Sequence, residues 1–321
     1  MTLLYALGLV VFFACLYFVS EQVEDAWQTV AYNFRLPASL AGATLLAVSS
    51  SLPEFFTSLN GALFYHTLEI GFMTIIWSAI FNILVITGIV GVMSTSPLTV
   101  SKNVLIRDSL VYLAALIVLI LLLSDGEISA VDAYILLVTY LLYVIILYLQ
   151  RHSIQEGEEV QSAYVSKRKI IVASSAGTAA ICLLSAGIVY LGVELSYALG
   201  VSLAVVSALV FSIGTSIPDL LLSYFSAKRG GGSMAISNVF GSNTFDITVC
   251  LGVPALVLLS QDSRIEGDLL SLKLSLLLLF IAMLLVNGLL AYNFKVTSIK
   301  GWICLVSYVC FVAIFFYAME G

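Results

Sequence analysis

Long apolar stretches alternate with short polar segments from one end of this chain to the other. A helix needs roughly 20 apolar residues to cross the hydrocarbon core of a bilayer. On that scale the pattern predicts spans at 3–20, 37–65, 70–94, 105–124, 129–149, 169–193, 199–227, 234–260, 269–292 and 299–319. The first, Leu3 to Ser20, lacks the basic flank and small-residue cleavage site of a signal peptide, so it reads as a span. The loops are short. The longest, Gln150 to Arg168, is rich in Glu, Lys and Arg and reads as a connector between two halves.

Composition sharpens this picture. Of 321 residues, 61% are hydrophobic and 10% are charged, whereas a soluble domain carries about a quarter charged residues. Disorder, a collagen-like fibre, a secreted disulfide scaffold and an ordinary soluble enzyme are all disfavoured. Cys15, Cys182, Cys250, Cys304 and Cys310 lie inside apolar stretches without the paired spacing of a zinc site, and read as buried small hydrophobes. The expected macromolecular surroundings are the lipid bilayer. No nucleic acid, cofactor or obligatory protein partner is expected.

The distribution of Lys and Arg orients the spans. With the N-terminus outside, inner segments hold Arg35, Lys102, Arg107, Arg151, Lys167, Arg168, Lys169, Lys228, Arg229, Lys295 and Lys300. Outer segments hold Arg264, and Lys273 is the one base placed in a span, near its start. Ten spans then leave both termini outside. The acids Asp125, Glu127, Asp262, Glu266 and Asp268 fall on the outer side.

The two halves repeat a pattern. Ser49-Ser-Ser-Leu-Pro-Glu-Phe-Phe-Thr-Ser58 aligns with Gly214-Thr-Ser-Ile-Pro-Asp-Leu-Leu-Leu-Ser223 at an offset of 165. In the next span Ser78-Ala-Ile-Phe-Asn-Ile83 aligns with Ser242-Asn-Thr-Phe-Asp-Ile247 at an offset of 164, and Gly88 with Gly252 continues the match. Five spans per half is an odd number, so the second half runs through the membrane inverted, an arrangement common in secondary transporters. The expected organisation is a first repeat at 1–150 with its motif at 47–88, a connecting loop at 151–168 on the cytoplasmic side, and a second repeat at 169–321 with its motif at 211–252.

Three carboxylates, Glu54, Asp219 and Asp246, lie well inside apolar spans. An ionisable group near the bilayer centre costs at least about 2.5 kcal/mol on insertion scales, which marks it as a functional candidate. Positions three and four apart share a helix face. Ser50 and Ser51 are therefore expected beside Glu54, Thr215 and Ser216 beside Asp219, Ser78 beside Asn82, and Ser242 beside Asp246. All these groups offer oxygen and none is Cys or His, which suits hard cations such as Ca2+, Na+ and K+. Pro53 and Pro218 each remove one helical N–H and free a carbonyl about one turn earlier, at Ser49 and Gly214 or their neighbours. An intramembrane enzyme is disfavoured. The two histidines, His66 and His152, lie near a span end or in a loop, and no His-Glu-x-x-His zinc motif is present.

At these residues the chain resembles the cation/calcium exchanger superfamily. Thr215-Ser-Ile-Pro-Asp219, Lys228-Arg229-Gly230, Met234-Ala235 and Gly241-Ser-Asn-Thr-Phe-Asp-Ile-Thr-Val249 are similar to the potassium-dependent sodium/calcium exchangers, as is Ser78-Ala79-Ile-Phe-Asn82. The resemblance implies ten helices in two inverted-topology five-helix repeats, with the second, third, seventh and eighth surrounding the ions. It makes Glu54 and Asp219 the central Ca2+ ligands, which also help bind Na+. Ser50, Ser51, Thr215, Ser216, Ser78, Asn82, Ser242 and Asn243 complete the candidate Ca2+/Na+ shell, and Asp246 is assigned to K+ or an additional cation. Trp77 departs from the pattern by standing where the family usually has glycine, and is expected to push helices apart or reshape the site. The implied function is a plasma-membrane antiporter that extrudes Ca2+ from the cytoplasm on a Na+ gradient, with K+ carried alongside Ca2+. The alternatives are a Ca2+/H+ antiporter using the same acids and a K+-independent Na+/Ca2+ exchanger. The resemblance also suggests that the first and sixth helices slide over the core.

Overall fold

The computed structural model describes residues 1–94, 97–150, 166–259 and 269–320. The outer residues Asp262, Arg264, Glu266 and Asp268 and most of the central connector lie outside this range. The helices, in chain order, are α1 (Thr2–Asn33), α2 (Ala38–Ser50), α3 (Leu52–Tyr65), α4 (Glu69–Met93), α5 (Lys102–Leu122) and α6 (Ala130–Gln150), then α7 (Lys167–Leu199), α8 (203–215), α9 (Ile217–Lys228), α10 (Gly232–Leu259), α11 (Leu269–Ala291) and α12 (Ser298–Glu320). Among the described residues, nine helical runs are long and apolar enough to cross a membrane, with α8 and α9 counted together. The remaining predicted span, 37–65, is divided at Ser51 into α2 and α3, neither of which is long enough alone.

Both interruptions have one cause. Ser51 (φ −87°, ψ 4°) and Ser216 (φ −83°, ψ 0°) leave helical geometry immediately before a helix that carries proline in its first turn. The proline ring clashes with the carbonyl four residues back and offers no N–H to it, so a continuous helix through Ser49 or Gly214 is disfavoured. The segments leading into the breaks also match. Each contains one wide π-helical turn, Gly42–Leu46 and Ser207–Phe211, again 165 residues apart. Such turns recur at functional sites because they shift the register of the side chains that follow.

The two largest apolar clusters lie on different sets of helices. One cluster joins α4, α5, α10, α11 and α12 around buried residues such as Phe72, Ile80, Leu116, Phe240 and Leu279. A second joins α1 to α7 through Leu9, Leu16, Val23, Ile181, Ile188 and Val189. Helix α10 lies at the centre of the fold and touches α3, α5, α6 and α9. It approaches α2 backbone to backbone: a Cβ on Gly241 would meet the Ala43 Cα at 2.6 Å. The outward faces are apolar, with Leu3, Val10, Leu183 and Val309 exposed, as expected of helices that meet lipid. A two-residue antiparallel bridge, β1 (Leu98–Thr99) with β2 (Lys295–Val296), ties the α4–α5 loop to the α11–α12 loop.

Several expectations need correction. Helix α1 does not stop at Ser20 but continues to Asn33, giving 32 residues and a length of about 48 Å at about 1.5 Å per residue. Cys15 and Cys310 are exposed on the apolar exterior, although Cys250 and Cys304 are buried. Lys273 is not the only base in a span. Arg107 is 7% exposed inside α5, where Nε donates to Asp108 Oδ1 at 2.6 Å and Ser237 donates to the other Asp108 oxygen at 2.7 Å. Trp77 is buried, and its indole turns towards the outer helices. Nε1 donates to Ser275 Oγ on α11 at 3.0 Å, and the ring packs on Phe315 of α12 with centroids 4.8 Å apart.

Candidate cation site

The two helix breaks bring Glu54 and Asp219 to the first turns of α3 and α9. Backbone N–H groups at a helix N-terminus favour negative charge there. Helices α4 and α10 pass beside the breaks and add Ser78, Asn82, Ser242, Asn243 and Asp246. All eleven predicted site residues (Ser50, Ser51, Glu54, Ser78, Asn82, Thr215, Ser216, Asp219, Ser242, Asn243 and Asp246) have 0% exposure.

The pairing inside the cluster is crosswise, which corrects the expected one. Glu54 does not rest on Ser50 and Ser51, the serines of its own broken segment. Ser216 Oγ donates to Glu54 Oε1 at 3.2 Å, Ser78 Oγ donates to the same oxygen at 3.3 Å, and the two hydroxyls lie 2.7 Å apart. Thr215 faces Glu54 as well. Asp219, in turn, accepts from Asn82 Nδ2 at 2.8 Å and from Asn238 Nδ2 at 3.4 Å, and it faces Ser50 and Ser242. Asn82 Nδ2 also reaches Asn243 Oδ1 at 3.1 Å, and Asn243 Nδ2 donates to the Ala79 carbonyl. Each acid therefore sits among oxygens and amides of both halves, Ser216 and Thr215 reaching Glu54 from the second half and Asn82 and Ser50 reaching Asp219 from the first. The reason is geometric: the break turns each short helix so that its first-turn acid projects across the crossing point. Neither i−3 nor i−4 neighbours on a straight helix describe it.

Asp246 stands to one side. Ser51 faces it, and Cys250 Sγ, one turn on, lies 3.6 Å from Oδ1. Among the described residues no three His, Cys, Asp or Glu side chains converge on one metal-sized point. The three predicted acids thus divide into a central pair, Glu54 with Asp219, and a neighbour.

Burial without neutralisation is the main electrostatic feature. No base pairs with Glu54, Asp219 or Asp246 among the described residues. Several oxygens at the cluster are buried with no hydrogen-bond partner among the described residues: Glu54 Oε2, Asp246 Oδ2, Asn82 Oδ1, Asn238 Oδ1 and Ser51 Oγ. A buried charge without a partner costs several kcal/mol, and an orphaned buried polar atom about 1–3 kcal/mol. A dehydrated hard cation removes both penalties, since it needs six or more oxygens and some negative charge. Hydroxyls at Ser50, Thr215 and Ser242 currently donate to backbone carbonyls one turn back, which leaves their lone pairs free to accept a cation.

One neighbour of the central acids escaped the sequence reading. Asn238 contacts Asp219 and, at 3.2 Å, Ser223. The signal was available: Asn238, Ser242 and Asp246 are spaced by four along α10, and Thr74, Ser78 and Asn82 repeat that spacing along α4. Thr74 is fully buried, like the others.

Comparison with known proteins follows the same lines. A family profile described as sodium/calcium exchanger protein matches residues 4–149 and 169–317. An uncharacterized membrane protein of Methanocaldococcus jannaschii is 30% identical over 287 residues, covering 86% of this chain and 88% of the relative. Sodium/potassium/calcium exchanger 3 of Rattus norvegicus is 36% identical over 120 residues, or 37% of this chain and 19% of that protein. Among solved structures, the sodium-calcium exchanger NCX_Mj soaked with Na+ and Sr2+ aligns over 98% of this chain and 99% of its own, with a TM-score of 0.70 and 26% identity.

Proposed function

Because the chain belongs to the sodium/calcium exchanger protein family, a family of membrane transporters rather than enzymes, we propose that it exchanges Na+ for Ca2+ by alternating access. The observation that carries the reading is the set of orphaned, fully buried oxygens around Glu54 and Asp219. Ca2+ and Na+ both satisfy such a set, and neither can enter while the other holds it. Mutual exclusion at one cluster, open to one side at a time, couples the two fluxes.

In this reading the divided segment α2–α3 makes one crossing, so the chain has ten in two inverted repeats. The shared offset of the breaks and wide turns supports that symmetry. The Lys and Arg distribution supports both termini outside, with Ca2+ extruded across the plasma membrane. Helices α1 and α7, which pack on each other along their length, are the natural moving part. K+ is carried with Ca2+ through Asp246, a role supported by the separate position of that acid and by the similarity of part of the chain to sodium/potassium/calcium exchanger 3. No protein partner is required.

The test is uptake of radiolabelled Ca2+ into Na+-loaded proteoliposomes, with and without external K+. Uptake that needs internal Na+ and survives collapse of any pH gradient is expected. Uptake that ignores Na+ and follows protons would instead make the chain a Ca2+/H+ antiporter. Uptake that needs Na+ but ignores K+ would leave the exchanger and remove K+ from Asp246.

A further inference from the structure

The part of α1 beyond the predicted span carries a buried acid that the central cluster does not use. Glu24 is 8% exposed, and its Oε1 is buried with no hydrogen-bond partner. The charged groups acting on it are Asp219, Asp25, Glu21 and Glu54, all of them acids. A carboxylate buried for structural reasons is paired with a base or accepts several hydrogen bonds. Glu24 instead lines a cavity of about 460 Å³ between α1 and α9, shared with Glu21, Asp25, Gln28 and Ser226. At roughly 30 Å³ per water, that space accommodates a cation together with several waters. Arg229 also lines the cavity and faces Asp25, and among the described residues no base is recorded acting on Glu24.

We propose that Glu24, with Glu21 and Gln28 on the same helix face and Ser226 opposite, forms a second divalent-cation site. Glu21 lies three residues before Glu24 and Gln28 four after it, so all three project to one side of α1. The polar lining is rich in oxygen and lacks Cys and His, and the available room lets the ion keep part of its hydration. Both features suit Ca2+ held more weakly than at the dry central cluster. Pro218 also lines this cavity, and the next residue is the central Asp219. The site is therefore a staging point for Ca2+ approaching from the face that carries Lys228 and Arg229. That role rests on the exchange reading, whereas the binding itself does not.

The test is equilibrium binding of radiolabelled Ca2+ to the full chain in detergent, using wild type, the Glu54→Gln/Asp219→Asn double variant, and that variant with Glu24→Gln or Glu24→Asp added. The double variant loses the tight class and keeps a weak one. Adding Glu24→Gln lowers the affinity of the weak class by about tenfold or more, as expected from removing one unit charge within contact distance. Adding Glu24→Asp, which keeps the charge, retains it. No residual binding in the double variant overturns the proposal, as does a weak class that Glu24→Gln leaves unchanged. The central cluster is judged separately, because persistence of the tight class in the double variant would refute it whatever the weak class does.

Discussion

Replacing Trp77 by glycine, the residue that the sequence resemblance leads one to expect there, is predicted by the packing to damage this protein. The indole is fully buried, donates to Ser275 and packs on Phe315. Removing it empties roughly 160 Å³, which at about 24 cal/mol per Å³ costs about 4 kcal/mol if nothing moves and about 2 if half the void closes. The lost hydrogen bond adds about 1 kcal/mol, and glycine inside a helix about 1 more. The total loss is then about 4–6 kcal/mol. Trp77→Phe keeps most of the volume and loses the hydrogen bond, for roughly 1–2 kcal/mol. Reversible unfolding in mixed micelles with increasing denaturing detergent measures both values. Ca2+ affinity, measured on the folded fraction, stays close to wild type, because the indole points to α11 and α12 and not to the cluster. A Trp77→Gly protein of wild-type stability would refute the packing argument. A stable variant with collapsed Ca2+ affinity would show that Trp77 shapes the site after all.

Three further expectations follow from particular contacts. Gly241→Ala places a methyl 2.6 Å from the Ala43 Cα; forcing α10 off α2 costs about 1–3 kcal/mol and reduces exchange, while Gly288→Ala, with open space around it, is neutral or stabilising in the same unfolding assay. Asp108→Asn weakens the buried pair with Arg107 and its contact with Ser237, and a lower unfolding midpoint is expected; an unchanged midpoint would refute the pairing's contribution to stability. Asp246→Asn removes K+ stimulation of Ca2+ uptake, and undiminished stimulation would detach K+ from that residue.

Much of the architecture was legible because its causes are local. Ser51-Leu-Pro-Glu54 and Ser216-Ile-Pro-Asp219 pointed to a freed carbonyl and a buried acid in each half, although the spans were expected to run on as 37–65 and 199–227 and a proline alone does not break a helix, as Pro254 inside α10 shows. What could not be read depends on how distant segments cross. The i−3 and i−4 rule put Ser50 with Glu54 and Thr215 with Asp219, but across the breaks Thr215 faces Glu54 and Ser50 faces Asp219. Arg107 looked like a loop-side positive charge until Ser237, far along the chain, was found completing its pair with Asp108. Trp77 looked obstructive because only its position was known, and the direction of its side chain depends on α11 and α12. Hydropathy ended α1 at Ser20 because Glu21, Glu24 and Asp25 are charged, although the helix continues past all three along the side of α9.

The central claim is that one buried oxygen cluster takes either Ca2+ or Na+ and never both. Ca2+ binding isotherms on the purified chain at rising Na+ test it most directly. The account predicts that Na+ weakens the tight Ca2+ class progressively without changing the number of Ca2+ bound at saturation, and that Glu54→Gln abolishes that class. Tight Ca2+ binding that Na+ leaves untouched, or that survives Glu54→Gln, would contradict it.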